Sequence, residues 1–562
     1  MSDRARPATG NDPGSAAPPP ATTPRPAALD LAETVLDRGS WLSWDTPPTV
    51  NPVTGPYAEQ LARARERSGA DESVLTGEGR VRGHRVALLL SEFGFLAGSI
   101  GAAARERLLG AIRRATADGL PLIAATASGG TRMQEGTSAF VGMLPIAAAI
   151  GEHKAAGLPY LVHLRSPTTG GVLASWASLG HLTSGEPGAL VGFLGPRVYQ
   201  ALNGAAFPEG VQTAENLHRR GILDAVLPTE RLRTTLAAVL DTLAPAEPTT
   251  DVTGTPVPAT PDATEPDAAA DVWRSVTLTR DRNRPGLADL LRAADSPAVH
   301  LGGSGGGEPR DELRLALARF HGMPCVVVGH DRARARALGE AGPVGPGGLR
   351  AARRGMRLAA GLGLPLLGVI DTAGARLSAE AEESALSAGI ARCLVELSAL
   401  PVPVLSLLLG QGAGGGALAL LPADRVLAAE HAWLAPLPPE GASAILYRTT
   451  DRAAELAREQ RIGAPELLRS GTVHRIVPEP VPASADPQGF LRRVAAAVGE
   501  ELAALAAGAG AGPRPGGRGA PLERLDQRLR ARRLSPGAGR QPGAGPGGGA
   551  GGQADPGGAA GR

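Results

Sequence analysis

The amino-acid sequence predicts an α/β protein made of two copies of one fold in tandem. Three observations carry that prediction. Two long stretches repeat each other at a fixed offset; short apolar runs alternate with alanine-rich helical segments; low-complexity stretches part the copies from each other and from the chain ends.

The repeat is read directly. "GLPLIAATASGGTR" (Gly119 to Arg132) matches "GLPLLGVIDTAGAR" (Gly363 to Arg376), 244 positions on. The same offset carries Pro159 onto Pro403 and Gly170-Gly171 onto Gly414-Gly415. Each copy then has a Pro-Glu-Gly loop, in "FPEGVQTAENL" and "PPEGASAILYR", and closes on "RGILDAVLP" or "SGTVHRIVP". Matches recurring in one order predict a duplication. Residues 1–28 are rich in Pro, Ala and Thr and are expected to be disordered. Residues 243–270 are expected to form a Pro/Thr/Ala-rich linker, and 507–562 a disordered Gly/Ala/Pro/Arg-rich tail. The two domains are then 29–242 and 271–506.

Within each copy the apolar runs "PLIAATA", "YLVHLRS", "ALVGFLG", "PLLGVID" and "PVLSLLL" are bounded by Gly or Pro, as buried strands are. "TSAFVGMLPIAAAIGEHKAAG" and "ESALSAGIARCLVELSAL" follow such runs and predict helices, giving a strand–turn–helix rhythm.

Composition excludes several classes. The formal net charge of +2 gives no electrostatic case for nucleic acid or a membrane surface. Two cysteines, Cys325 and Cys393, are too few for a disulfide framework or a cysteine zinc site. No apolar run reaches the roughly 20 residues of a bilayer span, and the N-terminal stretch has no signal-peptide core. The expectation is a cytoplasmic protein with no metal.

Each copy places two small-residue turns between a strand and a helix. These are Ser128-Gly129-Gly130-Thr131 and Thr168-Thr169-Gly170-Gly171 in the first, and Thr372-Ala373-Gly374-Ala375 and Gly412 through Gly416 in the second. Free N–H groups at a helix start favour negative charge. A P-loop needs Gly-Lys-Ser/Thr, and the only lysine, Lys154, is far from these turns. A dinucleotide loop needs an acidic residue about 20 positions on; Asp424 and Glu430 leave that test open. Tight helix–sheet packing explains one such turn as well as a ligand does. Four in register favour a pair of oxyanion holes, with backbone donors aimed where charge develops.

The motifs carry a resemblance. "TGEGRVRGHRVALLLSEFGFLAGSIG", "ASGGTRMQEG", "SPTTGGVLASWASLGHLTSGEPGALVGFLGPRV" and "FPEGVQTAENLHRRGILDAVLP" resemble the β subunit of bacterial acetyl-CoA carboxylase carboxyltransferase. "CVVVGHDRAR", "GMRLAAGLGLPLLGVIDTAGAR", "VPVLSLLLGQGAGGGALALLPADRVLAAEHAWLAPLPPEGASAILYR" and "GTVHRIVPEP" resemble its α subunit. The chain thus looks like a β–α fusion. The resemblance implies two crotonase-like domains of stacked ββα units, with the β-like half facing acyl-CoA and the α-like half facing carboxybiotin. It implies transfer of the carboxyl group to acetyl-CoA, giving malonyl-CoA for fatty acid synthesis, at a site formed where the two kinds of domain meet in a homodimer or higher oligomer. The thioester hole is assigned to Gly130, Thr131, Gly170 and Gly171, and the biotin hole to Gly374, Ala375, Gly415 and Gly416, with the donor of each pair open by one residue. The alternatives are a biotin-dependent acyl-CoA or malonyl decarboxylase subunit and a non-catalytic carboxylase scaffold.

Other residues admit two readings. Arg132, Gln134 and Glu135 either shape the site, with Arg132 as a cofactor-binding residue, or form a structural salt bridge at a helix start. Arg332 and Arg334 either bind CoA phosphates or lie on a solvated helix face. His330 is read as structural. His163 and Ser166 are near in sequence but lack a nucleophile elbow. Two departures stand out: the family's β subunit carries a four-cysteine zinc ribbon that this chain lacks, and its α subunit reads Asp-Thr-Pro-Gly-Ala-Tyr where this chain has "DTAGAR". Lys154 lacks the methionine neighbours of a biotin attachment site. Biotin carboxylase and biotin carboxyl carrier protein are therefore expected as separate partners.

Overall fold

The computed structural model describes residues 28–48, 54–244, 272–307, 313–337 and 344–509. The expected N-terminal segment, linker and tail lie, but for their edges, outside these residues.

Each half is built on an eight-stranded mixed sheet. In the first, β1 (Val74–Val81) and β2 (His84–Ser91) form an antiparallel hairpin, and β2 is followed by the parallel strands β3 (Leu122–Ser128), β4 (Tyr160–Thr169) and β5 (Leu182–Gly185). The second repeats this order: β6 (Leu313–Phe320) and β7 (Met323–His330) as the hairpin, then β8 (Leu366–Thr372), β9 (Val404–Ala413) and β10 (Arg425–Ala429). Strands β3 and β8 are buried along their whole length, as parallel strands covered on both faces must be.

The duplication extends to register. Leu122 pairs with Tyr160, and Leu366, 244 positions on, pairs with Val404. Both pairings then slip at the same place, between Thr126 and Ser128 and between Ile370 and Thr372. The slip aims the end of β3 and β4, or β8 and β9, at a common point.

The helices follow the same rule. α1 (Ala102–Ala117) and α4 (Pro346–Leu362) each run into a glycine of positive φ, Gly119 and Gly363, both at 65°. The next N–H reaches back to the carbonyl five residues earlier, Leu120 to Ala115 and Leu364 to Ala359, closing the helix end. The two predicted helical segments contain α2 (Met143–Ala155) and α5 (Leu386–Ser398). One predicted strand differs: of "ALVGFLG", only Val191–Gly192 forms a strand, alongside the far end of β4, and Leu190 makes a lone bridge to Thr213. Its apolar run continues into Phe193 and Leu194, which are exposed, so it reads as a strand without being a core one.

The halves share a core rather than touching at a surface. The described residues of both halves fall in one compact unit. Leu236 and Leu240 of α3 (Thr229–Leu243) belong to the same buried cluster as Leu317 and Phe320 of β6. Polar ties cross the junction: Asp224 accepts from the Gly302 N–H (3.0 Å) and pairs with Arg354 (2.8 Å), and Arg319 donates to the Asp241 carbonyl (3.0 Å).

Candidate active site

The structure brings each half's two glycine turns together at the ends of neighbouring strands. Short helices start there, Gly170–Leu173 after β4 and Gly414–Leu418 after β9. Gly170 and Gly414 both have φ of 59°, and Gly130 and Gly374 have φ of 107° and 141°. These left-handed values suit glycine and strain other residues. An ideal Cβ on Gly130 would lie 3.1 Å from the Gly171 nitrogen, so the two turns of the first half are in contact.

Which N–H groups are free follows from the bonds around them. Gly130 donates to the Ser128 hydroxyl (3.0 Å) and Gly374 to the Thr372 hydroxyl (3.1 Å). A short bridge then fixes each loop. Ile100 donates to the Gly130 carbonyl (2.9 Å) and accepts from Arg132 (3.0 Å); Val344 donates to the Gly374 carbonyl (3.1 Å) and accepts from Arg376 (2.9 Å). In a parallel bridge the middle residue points its N–H away, so Thr131 and Ala375 keep theirs. Gly170 donates to the Phe193 carbonyl (3.1 Å), leaving Gly171 as a helix-start donor, and Gly415 holds the same position in the second half. Among the described residues, the N–H groups of Thr131, Gly171, Ala375 and Gly415 have no acceptor. Each half therefore presents two unpaired backbone donors beside each other, the requirement of an oxyanion hole.

This fixes the register that the sequence left open. Gly414-Gly415 is the counterpart of Gly170-Gly171, and Gly416 is the counterpart of buried Val172. At Gly416 the helix start meets its own turn: an ideal Cβ there would sit 2.7 Å from the Gly374 carbonyl oxygen and 3.3 Å from the Ala375 nitrogen. The extra glycine lets the second helix pack against its own turn. Gly130, Gly170 and Gly374 shape the turns without offering the free donor. The hydroxyls of Ser128 and Thr372 escaped the sequence reading, although they fall on matching positions of the repeat.

Residues 32–498 match the carboxyl transferase domain family. The chain belongs to the carboxyl transferase family. It is 57% identical over 476 residues to the probable biotin-dependent acyl-coenzyme A carboxylase beta3 subunit of Mycobacterium tuberculosis (strain ATCC 25618 / H37Rv), covering 84% of this chain and 94% of that one. It is 39% identical over 494 residues to the acetyl-coenzyme A carboxylase carboxyl transferase subunits beta/alpha of Salinispora arenicola (strain CNS-205), covering 85% and 87%. Among solved structures, the transcarboxylase 12S hexamer superposes with a TM-score of 0.66 over 85% of this chain and 90% of that one, at 18% identity. That likeness is one of fold: two tandem crotonase-like α/β domains.

The charged residues of this carboxyl transferase support its loops from behind. Arg132 is 1% exposed. It pairs with Glu72 and donates to the Ser73 hydroxyl (3.1 Å) and the Ser99 carbonyl (2.8 Å). Burial and this pairing commit it to structure, which corrects its reading as a ligand-binding arginine. Glu135 accepts from Tyr57 (2.6 Å) and the Ala102 N–H (2.6 Å), and burial with this carboxylate raises the Tyr57 hydroxyl to about 12. Gln134 donates to Gln60 (2.8 Å). Arg332 is turned inward in the same way. It pairs with buried Asp371 (2.9 Å) and donates to the carbonyls of Thr279 and, at 3.0 Å, Arg284. Asp371 in turn accepts from the Gln411 N–H (3.0 Å) on β9. Arg332 thus braces the second hole's strand instead of facing a phosphate, and Arg334 lines a separate cleft between the halves.

His330 and His163 are structural. His330 is buried, with Nδ1 3.1 Å from the Val369 carbonyl, and burial lowers its pKa to about 4. His163 bonds Ser184 (3.0 Å), not Ser166, and burial lowers it to about 4 as well. Among the described residues no helix is long and apolar enough to cross a membrane.

Apolar side chains lie exposed near each hole. Met133, Phe140, Leu144 and Phe193 in the first half, and Leu377, Ile445 and Leu446 in the second, are each more than half exposed. Apolar side chains gathered at a surface mark a place where a partner sits.

Proposed function

We propose that this chain is the carboxyltransferase component of an acetyl-CoA carboxylase, passing a carboxyl group from carboxybiotin on a carrier protein to acetyl-CoA. The observation that carries the reading is the twinned pair of free backbone donors, Thr131 with Gly171 and Ala375 with Gly415. Carboxybiotin supplies the carboxyl group and, after giving it up, a basic ureido nitrogen. The Thr131 and Gly171 N–H groups stabilise charge growing on the thioester oxygen as the α-proton leaves. The Ala375 and Gly415 N–H groups stabilise charge growing on the ureido oxygen. Neither task calls for a side-chain nucleophile.

The exposed apolar rims support a homodimer or larger assembly in which the first half of one copy faces the second half of another. Lys154 supports biotin arriving on a separate carrier: its ammonium group is held by the Leu179 carbonyl (2.7 Å). Biotin carboxylase and the carrier protein are the implied partners. Acetyl-CoA is favoured by the names of the beta/alpha relatives, whereas the more similar beta3 relative names no chain length.

The test is carboxylation of acetyl-, propionyl- and butyryl-CoA with both partners supplied. Gly171→Val and Gly415→Val should each lower kcat by about 100- to 1,000-fold, the cost of one lost oxyanion donor, with the assembly intact by sedimentation. Turnover unchanged in both variants sinks the reading, and a preference for butyryl-CoA sinks the acetyl assignment.

A further inference from the structure

The second half carries a buried carboxylate at a place where the first half has only a methyl group. Asp371, 2% exposed, stands 244 positions after the buried Ala127. Both residues sit at the slip between neighbouring parallel strands. Ile370 pairs with Leu408 and Thr372 with Gly412, so Asp371 alone faces Leu409, Gly410 and Gln411. A bulge of this kind leaves backbone groups without ladder partners and re-aims the strand beyond it.

The halves satisfy those groups by different chemistry. The residue matching Gln411 in the first half is Pro167, which has no N–H to satisfy. Gln411 has one, and Asp371 Oδ1 accepts it (3.0 Å). The other carboxylate oxygen pairs with Arg332 (2.9 Å). A carboxylate is an acceptor on both oxygens, so it can take an N–H on one side and a guanidinium on the other, which an amide cannot. Gly410 makes the room: an ideal Cβ there would lie 2.6 Å from Asp371 Oδ1, whereas its first-half counterpart, opposite an alanine, is Ser166. Two arginines hold the far side of the bulge. Arg284, paired with buried Glu479 (2.6 Å), donates to the Leu409 carbonyl (3.1 Å), and Arg332 donates to the Arg284 carbonyl (3.0 Å).

The place matters because of where the two strands lead. The Asp371 backbone belongs to β8, and Ala375 follows four residues later. Its side chain grips β9 at Gln411, and Gly415 follows four residues later. One side chain thus ties together the two strands that deliver the free donors of the second hole. We propose that Asp371 is a positioning residue of that hole, setting the separation of the Ala375 and Gly415 N–H groups. The proposal rests on the carboxyltransferase reading and deepens it.

The experiment is steady-state carboxylation of acetyl-CoA with both partners supplied, beside the carboxybiotin-decarboxylation half-reaction and a thermal melt. Asp371→Ala should lower kcat and the half-reaction by about 10- to 100-fold, the cost of a donor displaced by up to about 1 Å. The KM for acetyl-CoA should stay within about twofold of wild type. Asp371→Ala/Gln411→Pro removes the orphaned N–H as the first half does, and should regain about fivefold of the loss. Both variants lack the ion pair with Arg332, so their difference reads the N–H alone. If Asp371→Ala does not fold, Asp371→Asn and Asp371→Asn/Gln411→Pro take their places with the same expectations. Wild-type rates in the folded single variant, a loss confined to the KM for acetyl-CoA, or no recovery with proline would each overturn the proposal. Wild-type protein that transfers no carboxyl group would overturn the underlying reading and this proposal together, so the two failures are told apart.

Discussion

Gly416→Ala adds a single methyl group where the second helix start meets its own turn. The new Cβ would stand 2.7 Å from the Gly374 carbonyl oxygen, a backbone atom that cannot rotate away. Real Cβ contacts start at about 3.0 Å and are comfortable at about 3.4 Å, so the helix must retreat by about 0.3–0.7 Å. The Gly415 N–H rides on that helix and the Ala375 N–H stays with the turn. A hole whose donors must lie within about 2.7–3.1 Å of the developing oxyanion loses most of one donor by such a retreat, about 3 kcal/mol or 100- to 1,000-fold in kcat. Under the proposed division of labour the loss falls on release from carboxybiotin, while the KM for acetyl-CoA stays close to wild type. The assay is steady-state carboxylation with both partners, paired with the carboxybiotin-decarboxylation half-reaction and a thermal melt to show that the fold survives. The first half provides the control, because Val172 carries a full side chain at the matching place. Gly416→Ala with wild-type kcat would refute the claim that Gly416 exists to let the helix approach the turn.

Two further outcomes follow from groups behind the holes. Arg132→Ala leaves Glu72 buried without its partner and should cost about 3–5 kcal/mol in a urea unfolding titration; a loss below about 1 kcal/mol would return Arg132 to a ligand-binding role. His163 and His330 are each held neutral by burial, with pKa near 4 against about 6.5 unfolded. The unfolded chain therefore binds the extra proton, and stability falls as pH drops from about 6.5 towards 4, by about 1 kcal/mol per pH unit for each histidine. Urea titrations at pH 7.5, 6 and 5 check this, and His330→Gln should flatten the slope; an unchanged slope removes His330 from the account.

The repeat at an offset of 244, the strand-to-helix turns and the glycines requiring positive φ were legible in one dimension. Such features are local: backbone sterics and hydrophobic burial act through neighbouring residues, and a duplication writes them twice. The run "ALVGFLG" was read as one buried strand for the same reason, because an apolar stretch does not say which part of it will be covered: Ala189 and Val191 are buried, Phe193 and Leu194 exposed. Charge was the least legible. Arg132 follows a glycine turn, Arg332 follows a strand, and both read as ligand contacts, yet their partners Glu72 and Asp371 are 60 and 39 positions away in the chain.

By itself, then, the sequence determined two tandem α/β domains and the four strand-to-helix turns within them. Only the tertiary structure decided which N–H in each turn is free. That depends on acceptors from elsewhere in the chain: the Ile100 and Val344 bridges, the Phe193 carbonyl and the hydroxyls of Ser128 and Thr372. A donor is available for catalysis only when everything packed around it has declined the bond, and no local pattern records that.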